Sequence, residues 1–151
     1  MRVAIGTDHA GYPIKRFVVE FVAACGHEVL DMGVNSEDRV DFPDYAQKVG
    51  NAVSGGSADR GILICGSGVG VCIAANKMKG VYASVCHDTY SAHQGVEHDG
   101  MNVLCLGGRV IGPELACEIT RAFLQAIFIE DERFIRRVNK IKAIEAKDFR
   151  D

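Results

Sequence analysis

The stretch "GILICGSGVGVCIAANKMKG", residues 61–80, runs from an apolar strand-like segment into three alternating glycines and on into a second apolar segment of helix length. Four further short, β-branched runs resemble its first part: "RVAIG" (2–6), "HEVLDMG" (27–33), "VYASVC" (81–86) and "NVLCLGG" (102–108). Their apolar residues are nearly continuous rather than alternating, as expected for strands buried on both faces. Helix-length segments separate them: "PIKRFVVEFVAAC" closed by Gly26, "PDYAQKVGNAVSGG" opened by Pro43, "DTYSAHQGVEHDG" with Asp88 as N-cap, and "GPELACEITRAFLQAIF" after the fifth run. Strict strand–helix alternation predicts a five-stranded parallel sheet with helices on both faces. The fold class is a three-layer α/β/α, Rossmann-like domain with one extra C-terminal helix.

A length of 151 residues fits one domain, residues 1–151. With 48% hydrophobic and 25% charged residues and a net charge of −3, nothing draws the chain toward nucleic acid or an acidic membrane. Met1 leads straight into "RVAIG" and no apolar run approaches a membrane span, so the expected location is the cytoplasm. The six cysteines form no CxxC pair and no Cys/His ligand spacing, which predicts neither a disulfide framework nor a metal site. Cys25, Cys72, Cys105 and Cys117 lie in apolar surroundings and are expected to be buried as small hydrophobes.

Ligands of such folds bind beyond the carboxyl ends of the strands. There the chain carries "GTDHAG", "CGSGVG", "CHD" and "LGGRVIG". "CGSGVG" is neither the dinucleotide fingerprint GxGxxG nor a P-loop, because no Gly-Lys-Ser/Thr follows. Gly66, Gly68 and Gly70 let successive amides turn toward an anion, although glycines here also serve close helix–sheet packing. A free thiol with pKa about 8.5 is only a few per cent thiolate at neutral pH, and a helix N-terminus favours the thiolate. A phosphatase loop would place an arginine after Cys65, where Val69, Gly70 and Val71 stand, and a redox centre would need a resolving cysteine nearby, whereas Cys72 is expected on the helix face away from the loop. Cys65 as a general base beside an oxyanion nest is the remaining chemistry.

Asp8 and His9 end the first strand, either as a site pair or as a helix cap with a bystander. His98 precedes the fifth strand and is equally at home in a surface loop, whereas His27, His87 and His93 read as structural, although His87, beside Asp88 at a strand end, could also line the site. In the C-terminal segment, residues 131–151, Phe134, Val138 and Ile141 form an apolar stripe that needs a partner surface. Arg133 and Arg137 are spaced either for a solvated helix face or for a phosphate clamp.

Taken together, "GTDHAG", "DFPDYA" (41–46), "GILICGSGVG", "EHDGMNVLCLGGRVIG" (97–112), Arg133 and Arg137 resemble the ribose-5-phosphate isomerase type B group of the ribose/galactose isomerase superfamily. The resemblance covers nearly the whole chain in order. It implies interconversion of ribose 5-phosphate and ribulose 5-phosphate, with no metal and no organic cofactor. Cys65 would move the proton between C1 and C2, Ser67 and the amides of residues 66–70 would hold the enediolate, His98 would assist ring opening, and Asp8 would join the sugar-hydroxyl network. His9, Arg109, Arg133 and Arg137 would grip the phosphate. The resemblance also implies a homodimer, or a dimer of dimers, with the site shared between subunits and the C-terminal helix packed on the partner. Ser67, Phe42 and Asp99 depart from the threonine, tyrosine and asparagine common at those positions, and Asp99 in particular bears on which sugar is accepted. The alternatives are the same chemistry on galactose 6-phosphate, allose 6-phosphate or a tetrose phosphate, and a non-enzymatic phosphate- or nucleotide-binding module.

Overall fold

A computed structural model describes residues 1–148. It contains the strands β1 (Arg2–Thr7), β2 (Glu28–Asp31), β3 (Arg60–Cys65), β4 (Ala83–Val85) and β5 (Val103–Gly107). The helices are α1 (Tyr12–Ala24), α2 (Phe42–Ser54), α3 (Val69–Ala75), α4 (Thr89–Asp99), α5 (Pro113–Gln125) and α6 (Glu132–Asp148). The strands form one sheet in the order β2-β1-β3-β5-β4, and every neighbouring pair is parallel.

This order decides where each helix lies. The connections β1→β2 and β4→β5 step one way along the sheet, while β2→β3 and β3→β4 step the other. Right-handed crossovers then put α1 and α4 on one face and α2 and α3 on the opposite face. The two cores match: Val18, Val22, Ala92, Val96, Ile119 and Phe123 pack together on one side, and Ala46, Val49, Val71 and Ala75 on the other. Within β3, Ile62 and Ile64 enter the first core, and Leu63 and Cys65 enter the second. Burying each such large side chain stabilises the sheet by roughly 1.5–3 kcal/mol. The alternation also fixes which face Cys65 presents, toward α2 and α3.

Burial on both faces holds for β1, β3 and β5 but not for the edge strands. β2 and β4 are only partly covered, and β4 shortens to three residues. The cysteines also differ from expectation: Cys105 is a core residue, whereas Cys25 is exposed and Cys72 and Cys117 are half-buried. Cys25 ends α1 at the helix boundary, beyond the stripe formed by Val18 and Val22.

The expected C-terminal helix is α6; residues 149–151 of that expectation lie outside the described residues. Phe134 and Val138 are covered, with Phe134 packed on α4, while Ile135, Ile141 and Ile144 stay exposed. No helix among the described residues is long and apolar enough to cross a membrane.

Candidate active site

Because β1, β3 and β5 are adjacent, the loops that follow them meet. Asp8 N–H donates to the Ile64 carbonyl (3.2 Å), Gly108 N–H to that of Cys65 (2.7 Å), and Arg109 N–H to that of Gly66 (3.0 Å). Between them opens a cleft of about 500 Å³ lined by Asp8, His9, Phe42, Cys65, Ser67, Gly70 and Arg109, with Gly66 alongside.

Cys65 sits at the cleft floor, 5% exposed, and the Gly68 N–H donates to its Sγ at 3.1 Å. That contact requires the turn at Gly68, whose φ of +81° is left-handed and where a Cβ would come within 3.0 Å of the Leu106 carbonyl carbon. Only glycine fits such a site without strain. The Val69 N–H donates to Ser67 Oγ at 3.2 Å. Two amides of the loop are thus engaged locally, and the nest open to an oxyanion is smaller than the five residues of the loop.

Asp8 caps the entry to α1 and also lines the cleft. Its Oδ1 accepts from the N–H groups of Ala10 and Gly11, each at 2.9 Å, which fastens the entry to α1. Its Oδ2 takes no hydrogen bond among the described residues, and Asp8 lines the cleft. His9 Nδ1 accepts from the Val40 N–H (3.4 Å), so the neutral ring carries its proton on Nε2 as a donor. The Arg109 side chain lies along Gly66 and forms no ion pair among the described residues.

The remaining wall comes from the segment after β2. Lys15, buried in α1, donates from Nζ to the Val34 carbonyl (2.8 Å) and Asn35 Oδ1 (3.0 Å), and pairs with Asp31 Oδ1 (2.7 Å). A buried ammonium is tolerated only with such full pairing. The fastened segment delivers Val40 to His9 and Phe42 to Gly70, where a Cβ would meet the Phe42 ring at 2.9 Å.

His98, Asp99, Arg133 and Arg137 lie elsewhere. In a parallel sheet α4 runs back against the strands, so its last turn, which carries His98, reaches the opposite end of the sheet, where β5 begins. The five residues of β5, at about 3.3 Å each, separate this cluster from the cleft by roughly 15 Å or more. His98 is therefore helical, not a loop residue. Its ring stacks on Phe134 (centroids 4.0 Å, interplanar angle 11°), and its Nδ1 lies 2.9 Å from Gln94 Nε2, which also reaches Asp99 Oδ2 at 3.4 Å. The Arg133 and Arg137 guanidinium carbons approach the same Phe134 ring at 5.4 and 5.9 Å.

The two arginines differ. Arg133 forms a fork with Asp131, Nε to Oδ1 at 2.9 Å and NH2 to Oδ2 at 3.0 Å, and its hydrogen bonds hold the Asp131 carboxyl at about 2. Arg137 has no carboxylate partner among the described residues.

His87 does not line the cleft, because its Nε2 accepts from the Gly107 N–H (2.9 Å) and fastens the end of β5. Cys72, expected to serve as a small buried hydrophobe, has its thiol drawn down to about 7, chiefly by a hydrogen bond from buried Cys105. Gln94, Asp131 and the stacking role of Phe134 went unseen in the sequence. Gln94 and Asp131 carried local signals, Gln94 standing one helical turn before His98 and Asp131 two residues before Arg133, whereas the Phe134 stack carried none.

Residues 3–141 match the family described as Ribose/Galactose Isomerase. The chain belongs to this family. The family assignment is matched by close relatives: the chain is 47% identical over 146 residues to ribose-5-phosphate isomerase B of Escherichia coli, covering 97% of each chain. It is 41% identical over 129 residues to a D-erythrulose-4-phosphate isomerase of Pectobacterium atrosepticum, covering 85% of each. In three dimensions it superposes on ribose-5-phosphate isomerase B of Clostridium thermocellum with a TM-score of 0.94 at 46% identity, over 97% of this chain and 99% of that one. The family's five-stranded parallel fold is the one described above.

Proposed function

We propose that this chain is an aldose–ketose isomerase acting on ribose 5-phosphate and ribulose 5-phosphate, with Cys65 as the proton-transferring base. The observation that carries this reading is the Cys65 thiol in a cleft that also holds a hydroxyl, a carboxylate oxygen, an imidazole donor and a guanidinium with no ion pair among the described residues. In the open-chain aldose, the Cys65 thiolate takes the C2 proton. The C2–H electron pair forms the C1=C2 bond, and the carbonyl oxygen becomes an enediolate oxygen held by Ser67 Oγ and the free loop amides. A proton passes between the two enediolate oxygens, and Cys65 returns its proton to C1, leaving the ketone at C2. These steps need only the named side chains and backbone amides. His9 Nε2–H and Arg109 carry the donors for the phosphate at this end.

The second cluster completes the site when it comes from another copy. A two-fold dimer sets the α4/α6 cluster of one subunit over the cleft of the other, so that His98 meets the ring oxygen and Arg137 and Arg133 the phosphate. The exposed Val69 and Ile73, one turn apart on α3 beside the cleft, and Ile141 on α6 give apolar surface for that contact.

A second reading, a tetrose phosphate as substrate, has support in the similarity to a D-erythrulose-4-phosphate isomerase and in Asp99, whose exposed carboxylate stands beside His98. Turnover across four-, five- and six-carbon sugar phosphates separates the two. Preference for ribose 5-phosphate upholds the first reading, and preference for a four-carbon substrate replaces it with the second.

A further inference from the structure

The side chain of Gln94 has two acceptors within reach of one nitrogen, and this settles more than its own position. Asp99 is a carboxylate and only accepts, so the Gln94 atom that faces its Oδ2 is the amide nitrogen. The same nitrogen lies 2.9 Å from His98 Nδ1. An N–H donated to Nδ1 needs a lone pair there, which places the proton of the neutral imidazole on Nε2. Stacking on Phe134 holds the ring plane, so that only Nε2 is left to act.

We propose that Gln94 is a positioning residue that, oriented by Asp99, holds His98 as the Nε2–H tautomer and so makes it the proton donor for sugar-ring opening. The inference rests on the ring-opening role proposed for His98. In that step a solvent water takes the proton of the anomeric hydroxyl, whose O–H electron pair becomes the C1=O bond; the C1–O4 bond breaks with its electron pair going to O4, His98 Nε2–H supplies the proton that O4 takes up, and solvent returns a proton to the His98 ring. With the opposite tautomer, Nε2 presents a lone pair to O4 and the step has no donor.

The test separates ring opening from proton transfer at carbon. Ribulose 5-phosphate, with O5 phosphorylated, cannot close a furanose ring, so exchange of its C1 hydrogen with deuterated solvent reports enediolate formation alone. Net turnover of ribose 5-phosphate requires ring opening as well. For Gln94→Leu the expected result is a fall of about tenfold or more in ribose 5-phosphate turnover, within the range of a positioned acid, with C1 exchange kept within about twofold. Nitrogen-15 shifts of the His98 ring in the full chain should report Nε2–H in the wild type, a mixture in Gln94→Leu, and a protonated Nδ1 in Gln94→Glu. A wild-type ring protonated on Nδ1, or equal loss of turnover and exchange in Gln94→Leu, overturns the proposal. Unchanged ribose 5-phosphate turnover in His98→Ala would instead sink the ring-opening role itself, while the nitrogen shifts still report what Gln94 does to the ring.

Discussion

The strand-end cleft and the α4/α6 cluster are built by different means. In the cleft, backbone holds backbone: three loops are tied to one another through Ile64, Cys65 and Gly66 carbonyls, and glycines allow the close approach. In the cluster, side chains hold side chains, with one phenylalanine ring carrying a histidine and two arginines, and a glutamine and an aspartate fixing the remaining edges. A frame of backbone hydrogen bonds suits the chemical step, where an oxyanion must meet amides already in position. The side-chain cluster suits recognition of a charged and variable ligand, and small substitutions there retune it without disturbing the sheet.

This contrast predicts how each region fails. The largest effect is expected from Cys65→Ala, which should lower turnover by about 100- to 10,000-fold, the worth of a positioned base, with sugar-phosphate binding retained in calorimetry. Near-normal turnover would remove the thiol from the mechanism. Arg137→Ala should act mainly on binding: loss of a charged hydrogen bond of about 1.5–3 kcal/mol raises KM roughly 10- to 100-fold with a smaller change in kcat. An equal loss in kcat would put Arg137 in the chemical step and blur the distinction between the regions.

The smallest effect concerns Asp131. Its carboxyl is held at about 2 by Arg133, below the ordinary value near 3.9. A depressed carboxyl contributes fully above its unfolded value and loses that contribution as pH falls through the folded one. The Asp131–Arg133 fork should therefore stay intact from neutral pH down to about 4 and open only toward 2. An Asp131 carboxyl titration by carbon-13 NMR with a midpoint near 4 would show that the fork does not hold in solution.

Much of the fold was legible because β1, β3 and β5 are continuous apolar runs that no solvated segment would carry. The edges were less so: β4 keeps only Ala83–Val85, and at its ends Val81 and Cys86 are buried while single backbone hydrogen bonds from Val103 to Tyr82 and from Cys86 to Cys105 continue the contact with β5. The cleft was legible for a related reason. Gly68 is demanded by a left-handed turn of the chain three residues from Cys65, whereas the Phe42 ring that crowds Gly70 comes from a distant part of the sequence. The second cluster depends on contacts between α4 and α6, more than thirty residues apart, and no local rule pairs His98 with Phe134. Sequence spacing showed two arginines on one helix face. It could not show that Asp131 already holds one of them, nor that the cluster they belong to lies at the opposite end of the strands from Cys65.

The central claim is that one working site takes its cleft from one chain and its cluster from another. Mixing Cys65→Ala with His98→Ala/Arg137→Ala subunits after mild dissociation tests it directly. Each variant alone has no intact site. If sites are shared, half of randomly paired dimers are mixed and each holds one fully wild-type site, so activity should return to about one quarter of the wild-type level. If each chain holds a complete site of its own, the mixture will stay as inactive as its parents.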